Sequence, residues 1–544
     1  MVVPELRPWR AARPHVVRIA EAVRPRLARA VTAAKPRVAR VTRAVGPRLA
    51  RITPPTSLTR FPAISRPTAL RTWGYTAGAA TAGLALAAGV VTAAGPWDAD
   101  GQRTAERERA TAQERAGGTD HDDGPGTRAE GPRPAPSAAS VLTGLGGTAT
   151  TVRSAPAEKA VKDLLGPLLD SADLGRVHTA SVVDVATGTR LYGADADKAM
   201  TPASTTKIAT AVAALSALGA DHRLTTRAAL LPDTGELVLV GGGDPTLTAH
   251  KDAEGWASLR TLARDTAAAL KKRGVHKVTL SYDATLYAGS GLHPIGVNDN
   301  LAPVSALMAD EGRTDGSTRG PVTRVTDPAK TAAAAFAGFL ADDGIRTTSP
   351  GPSKATSRAT TLATVSSPPL SALVERMLTN SDNDIAEALA RQTALATGKR
   401  PSFDGGATAI GARLSRLGLP VTGADFHDGS GLNRDDRMTA DLLTALLVKA
   451  GTPSHPELRP VLTGLPVAGF TGTLAGRYTN GAAGVVRAKT GTLTGVNTLA
   501  GTVVDRDGRL LAFAFLASDT TAPDEAQKAL DRTATALAGC GCAR

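Results

Sequence analysis

The chain has 544 residues, 42% of them apolar but only 3% aromatic, so Ala and the smaller aliphatics must fill cores large enough for more than one domain. The net charge of +13 does not mark a nucleic-acid binder, because the first 72 residues alone carry 16 Lys and Arg against 2 Glu and the rest is near neutral. The two cysteines, Cys540 and Cys542, fall in the last five residues, which excludes a disulfide framework or a cysteine metal site in the body. The nine histidines show no metal-ligand spacing, and no cofactor is implied.

Residues 1–72 form a basic arm rich in Pro, Ala and Arg. Pro14, Pro25, Pro36 and Pro47 recur every 11 residues, and the last three open units of the type Pro25-Arg26-Leu27-Ala28-Arg29. Such a unit is read as a solvated basic tail. As a short helix it would hold Arg on one stripe and suit an anionic membrane surface. Gly74 to Gly95 carries no charge and spans about 33 Å as a helix, enough for a bilayer core. Trp73 and Trp97 bracket it, Arg71 precedes it, and Asp98 and Asp100 follow. The positive-inside rule therefore predicts a membrane anchor over residues 73–97, with a cytoplasmic N-terminus and everything later outside. The rival is a cleaved signal sequence cut near Ala93-Ala94-Gly95, but the region upstream is long for that. Residues 98–153 read as a flexible linker.

Ala155 to Leu169 has the pattern of an amphipathic helix. His178–Asp184 and Arg190–Tyr192, joined by Ala186-Thr187-Gly188, predict a hairpin. Then comes Pro202-Ala203-Ser204-Thr205-Thr206-Lys207, leading into an Ala-rich helix over Ile208 to Leu218. Pro202 suits a chain entering a helix. A helix starting near Ser204 puts Ser204 and Lys207 on one face of its first turn. There the free N–H groups hold negative charge, and a buried lysine with a lowered pKa can take the serine's proton. By itself this spacing equally describes a capping serine beside a solvated lysine.

Residues 225–371 exceed what a helix pair needs and are expected to be an inserted accessory region, with strand-like runs at Glu236–Val240 and Lys277–Ser281. After it, Ser381-Asp382-Asn383 opens a helical run over Asp384 to Thr397, and Lys489-Thr490-Gly491-Thr492 ends a strand-like Gly484–Ala488. Thr498–Val504 and Arg509–Ala517, joined by Asp505 to Gly508, predict a second hairpin, and Pro523 to Leu537 a last helix. The expected architecture is α+β: an antiparallel sheet built from both ends of a catalytic region (154–224 and 372–544), covered by helices.

Ser-x-x-Lys, then Ser-x-Asn, then Lys-Thr-Gly on a strand is the three-part signature of penicillin-binding serine enzymes and serine β-lactamases. With Gly241 to Leu247, Asp428-Gly429-Ser430-Gly431-Leu432, Leu465 to Gly469 and the long insertion, the chain from about Ala155 onward resembles the D-alanyl-D-alanine carboxypeptidase/endopeptidases of the low-molecular-mass class C penicillin-binding type. It departs from their usual pattern at Asn433, where Ser more often precedes Arg434. The resemblance implies an extracellular enzyme that acts on peptidoglycan stem peptides and is acylated by penicillin. It implies Ser204 as nucleophile, Lys207 as base, Ser381 as proton relay, Asn383 as a hydrogen-bond partner of the substrate amide and Lys489 as a source of positive field. Thr490, Gly491 and Thr492 would bind the terminal carboxylate. A serine β-lactamase shares the motifs, but the chain lacks a Glu-x-x-Leu-Asn run between the second and third. An inactive wall-binding protein is the alternative outside enzymology.

Overall fold

A computed structural model describes residues 158–478 and 481–541. The basic arm, the uncharged segment and the linker lie outside them. Among the described residues no helix is long and apolar enough to cross a membrane.

The described chain opens with α1 (Glu158–Leu169), then the hairpin of β1 (Val177–Asp184) and β2 (Arg190–Ala194). The turn closes through Gly188, whose N–H reaches the Asp184 carbonyl at 2.8 Å. A 3₁₀ turn, Ala203–Thr205, leads into α2 (Thr206–Leu218). The middle region contributes β3 (Thr225–Leu230), β4 (Glu236–Val240), α3 (Leu259–Lys271), β5 (Lys277–Asp283), α4 (Pro328–Asp342), β6 (Arg346–Thr347), β7 (Gly351–Pro352) and β8 (Thr360–Ser366). Five helices follow: α5 (Leu370–Asn380), α6 (Asn383–Ala396), α7 (Phe403–Arg416), α8 (Ala440–Gly451) and α9 (Arg459–Thr463). The chain closes with β9 (Val486–Leu493), β10 (Val496–Val504), β11 (Leu510–Ser518) and α10 (Pro523–Gly539).

Two sheets result. The first is antiparallel throughout, in the order β2-β1-β11-β10-β9, so an early hairpin is sealed against the last strands. The second, in the order β6-β5-β4-β3-β8, is mixed, since β4 and β5 run parallel. All its strands come from Thr225 to Ser366, and with α3 and α4 it encloses its own core around Leu239, Leu262 and Phe336.

Alternation along β11 explains the layering of the first sheet. Ala512, Ala514 and Leu516 face a core shared with α2, α5, α6, α7 and α8, while Leu511, Phe513 and Phe515 face α1 and α10. The small residues on the first face let α8 lie close against the strands, and against α8 in turn, with α5, α6 and α7, packs α2. That helix is apolar nearly all round and is buried from Thr206 to Leu215, as such a helix must be. Its one ionisable residue, Lys207, goes into the interior with it.

One local expectation is corrected. Lys489 to Thr492 lies inside β9 and does not end it, because pairing with β10 continues through Leu493. Cys540 is buried and disulfide-bonded.

Candidate active site

Ser204 sits in the 3₁₀ turn, two residues before α2 proper. The residue ahead of it, Ala203, has φ +48°, a left-handed conformation that a Cβ disfavours. Three groups converge on the Pro202 carbonyl and hold the turn there: Thr205 N at 3.3 Å, Thr205 Oγ1 at 2.7 Å and Thr498 Oγ1 at 2.9 Å. From the other side Gly491 of β9 approaches so closely that a Cβ on it would meet Thr498 Oγ1 at 2.1 Å and the Pro202 carbonyl oxygen at 2.8 Å. Gly491 therefore packs strand against turn. It is not among the residues lining the cleft beside Ser204.

Lys207 is fully buried. Its Nζ lies 3.0 Å from Ser204 Oγ, 2.6 Å from Asn383 Oδ1 and 2.7 Å from the Ser430 carbonyl oxygen. Two of these three partners can only accept. A neutral amine gives its two N–H bonds to them and leaves its lone pair for the Ser204 hydroxyl. Burial lowers the Lys207 pKa to about 8, against the opposing pull of Asp428, Glu387, Asp382 and Asp436.

Those acids form the floor. Asp428 Oδ1 takes the N–H groups of Ser430 and Gly431 at 3.1 and 2.6 Å, and Glu387 Oε1 takes those of Gly429 and Ser430 at 3.0 and 2.8 Å. The turn is thereby fixed with the Ser430 carbonyl aimed at Lys207. Burial and the neighbouring Asp428 push Asp436 up to about 10. Asp428 is held below the usual carboxylate range in spite of burial, by hydrogen bonds from His293, Gly431 and Asp436. The two carboxyls thus share a proton that resides on Asp436.

The second and third motifs complete the cleft. Ser381 ends α5 in the left-handed conformation, φ +58°. Asp382 then caps α6, accepting Ile385 N at 3.1 Å. Lys489 Nζ reaches Ser381 Oγ at 2.8 Å and the Thr490 carbonyl at 2.7 Å. Burial, and next the nearby Lys207 charge, hold the Lys489 pKa well below its ordinary value. Asn383 is engaged at both ends, since its Nδ2 donates to the Asn300 carbonyl at 2.9 Å. Thr490 Oγ1 bonds Thr473 Oγ1 at 3.1 Å, and Thr492 is exposed on the edge strand.

The cleft has a volume of about 390 Å³. Ser204, Ser381, Asn383, Thr490 and Thr492 line it, with Lys207 and Lys489 buried beneath. Part of the lining was not legible in the sequence: Asn300, Arg313, Arg319 and Arg324 come from the middle region, more than 50 residues before Ser381. Nor were the acids below Lys207 legible as part of the site, although the Asp428 to Leu432 run is among those that carry the resemblance.

In each of two buried groups the ligand-type atoms lie within 4.8 Å of one another: His293 with Glu387 and Asp428, and Glu311 with Asp382 and Asp384. In the first, His293 Nδ1 accepts Ile295 N and Nε2 faces Asp428. In the second, Arg313, Arg324 and Arg376 pair with the carboxylates. Arginines thus supply the counter-charge in the second group, whereas Glu387 Oε2 in the first has no hydrogen-bond partner among the described residues.

A hydroxyl beside a buried amine, with a second serine and a second buried amine across one cleft, can carry acyl transfer through a serine. The family model of the D-Ala-D-Ala carboxypeptidase 3 (S13) family matches residues 161–321 and 313–537. The chain belongs to that family. A carboxypeptidase of Mycobacterium tuberculosis is 36% identical over 430 residues, 77% of this chain and 91% of its own length. A D-alanyl-D-alanine carboxypeptidase of an Actinomadura strain is 31% identical over 450 residues, 66% of this chain and 81% of the relative. In fold, the crystal structure of penicillin-binding protein 4 from Haemophilus influenzae aligns with a TM-score of 0.56 at 23% identity, covering 69% of this chain and 98% of the other.

Proposed function

We propose that the chain is a serine-type D-Ala-D-Ala carboxypeptidase/endopeptidase of peptidoglycan stem peptides, working through an acyl-enzyme on Ser204 and acylated by penicillin. Membership of the family and the names of the relatives support the activity. The single observation that carries the chemistry is the arrangement about Lys207 Nζ, with two obligate acceptors and the Ser204 hydroxyl at 3.0 Å.

In this reading Lys207 takes the Ser204 proton as Oγ attacks the carbonyl of the penultimate D-Ala. The backbone N–H groups of Ser204 and Thr492 hold the developing oxyanion, each worth about 2.7–4 kcal/mol. The Lys489–Ser381 pair passes a proton to the departing amine. Thr490 and Thr492 take the terminal carboxylate within the Lys489 field. Water then hydrolyses the ester. Asn383, bonded to Lys207 and to Asn300, orients the base, and its second Nδ2 hydrogen and second Oδ1 lone pair remain for the substrate amide. We propose further that residues 74–95 anchor the chain in a membrane with the catalytic part outside.

The test is mass analysis of peptidoglycan fragments after incubation with the wild type and with Ser204→Ala. Loss of one D-Ala, or cleavage of cross-linked dimers, should appear with the wild type alone. Identical digests from both would end the proposal.

A further inference from the structure

Three successive residues of the middle region, Asp310, Glu311 and Gly312, have φ of 51°, 54° and 62°. Two of them carry side chains that make this conformation costly, and such strain persists only where surroundings over-determine it. Here the surroundings are specific. Asp310 Oδ1 accepts Thr248 Oγ1 at 2.6 Å. Glu311, only 2% exposed, takes Arg313 Nε on one carboxylate oxygen at 2.9 Å and Arg376 Nη2 on the other at 3.0 Å. Its own carbonyl accepts Arg324 Nη1 at 2.5 Å.

Each guanidinium then holds part of the cleft. Arg313 also grips Ser317 Oγ and the Gly320 carbonyl at 3.0 and 2.9 Å, and Arg376 the Thr318 carbonyl at 2.7 Å. The loop over 313–324, which gives the cleft Arg313, Arg319 and Arg324 of its lining, is thus tied to one carboxylate. Arg324 continues to Asp384 Oδ2 at 2.8 Å. Arg376 belongs to α5, the helix that delivers Ser381, and its Nε lies 3.7 Å from Asp382 Oδ2. Glu311 and Asp382 hydrogen-bond carboxyl to carboxyl. The hydrogen bond from Asp382 and the two guanidinia keep Glu311 ionised in spite of its burial, while burial and the facing Glu311 keep the proton on Asp382. Asp382 sits between Ser381 and Asn383, so what fixes it fixes both.

We infer that Glu311 is a positioning residue for the hydrolysis proposed above. From a strained turn outside the three motifs it sets Ser381 and Asn383, and the cleft-lining arginines of the loop over 313–324, at their working distance from Ser204. The inference rests on that reading of the site.

The test uses the full-length chain as wild type, Glu311→Ala and Glu311→Gln. The Gln variant keeps the volume and one acceptor oxygen, and decides the matter if the Ala variant does not fold. D-Ala release from a D-Ala-D-Ala peptide is measured per folded molecule, with kcat and KM separated, alongside amide hydrogen exchange at 313–324 and 381–384. Misplacing Ser381 and Asn383 should cut kcat by about tenfold to a hundredfold with a smaller change in KM. Exchange in both segments should quicken. A folded variant whose kcat stays within about twofold of wild type overturns the inference. Unchanged exchange at 381–384 overturns it as well, even if the wild type proves inactive on the peptide, which would count against the parent reading separately.

Discussion

Lys207 Nζ and the Ser430 carbonyl oxygen lie 2.7 Å apart although 223 residues separate them in the chain. This bond, with that to Asn383, occupies the amine's two N–H groups and turns its lone pair to Ser204. The site therefore requires a lysine that is neutral when it acts.

The first prediction follows from that requirement. With the Lys207 pKa at about 8, the fraction of neutral amine rises as pH climbs through that value, and acylation should rise with it. Glu387, pushed to about 7 chiefly by burial and then by Asp428, is charged on the alkaline side and favours the ammonium form. Removing its charge lowers the Lys207 pKa, so Glu387→Gln should move the acid limb to lower pH and raise the rate at pH 7.5 by about twofold. Time-resolved labelling with a fluorescent penicillin across pH 5.5 to 9.5 measures both limbs. A limb that moves upward in the variant contradicts the assignment.

Removing the actors themselves should be far more severe. Ser204→Ala should leave no penicillin adduct, and Lys207→Ala should slow acylation by on the order of a thousandfold or more. Intact-mass measurement of the adduct distinguishes slow from absent.

Gly431 tests the packing that joins the acid floor to the nucleophile turn. Its φ is +81°, and a Cβ would meet the Ala203 carbonyl oxygen at 1.9 Å. That oxygen is backbone and cannot swing aside. Gly431→Ala should cost about 1–2 kcal/mol for the left-handed conformation and about 1–3 kcal/mol for overpacking, with loss of acylation in the molecules that remain folded. Urea unfolding followed by active-site titration checks it.

Arg324 and Asp384 form an ion pair whose side chains are 4% and 2% exposed. Arg324→Ala strands a buried carboxylate and should destabilise by about 3–5 kcal/mol at pH 8. Burial already raises Asp384 to about 7, against the pull of Arg324. Without the arginine the group takes a proton more readily, and the protonated form needs no counter-charge. The deficit relative to wild type should therefore shrink between pH 8 and pH 5.5. Urea midpoints at the two pH values decide it, and a deficit that grows on acidification is the contrary result.

For the uncharged segment, the full chain should sediment with membranes and resist carbonate extraction, and deletion of residues 74–95 should release it. Extraction of the intact chain by carbonate alone would count against the anchor.

Much of this was legible in the sequence because it is local or periodic. Ser204 and Lys207 are one turn apart, so helical spacing is enough to pair them. The alternation in β11 and the hairpin at Asp505 to Gly508 announce strands before any partner is known. The start of α6 falls one residue before the expected Asp384, and the structure makes Asp382 its cap. The expected terminal position of Lys489 in its strand failed because the end of a strand is set by its neighbour. The Ala-rich sequence of α2 said that the helix would be buried, but not against what.

The sequence by itself determined the chemical inventory, namely the serine and lysine on one turn, the second serine before a helix cap and the lysine on a strand. Only the tertiary structure decided that Lys489 meets Ser381, that Asn383 and Ser430 orient Lys207, and that a strained glutamate from the middle region braces the cleft. Those relations join residues from 65 to 223 positions apart. No spacing rule reaches so far, because contacts at that separation are selected by the packing of whole helices and sheets and by the need of buried charges for partners.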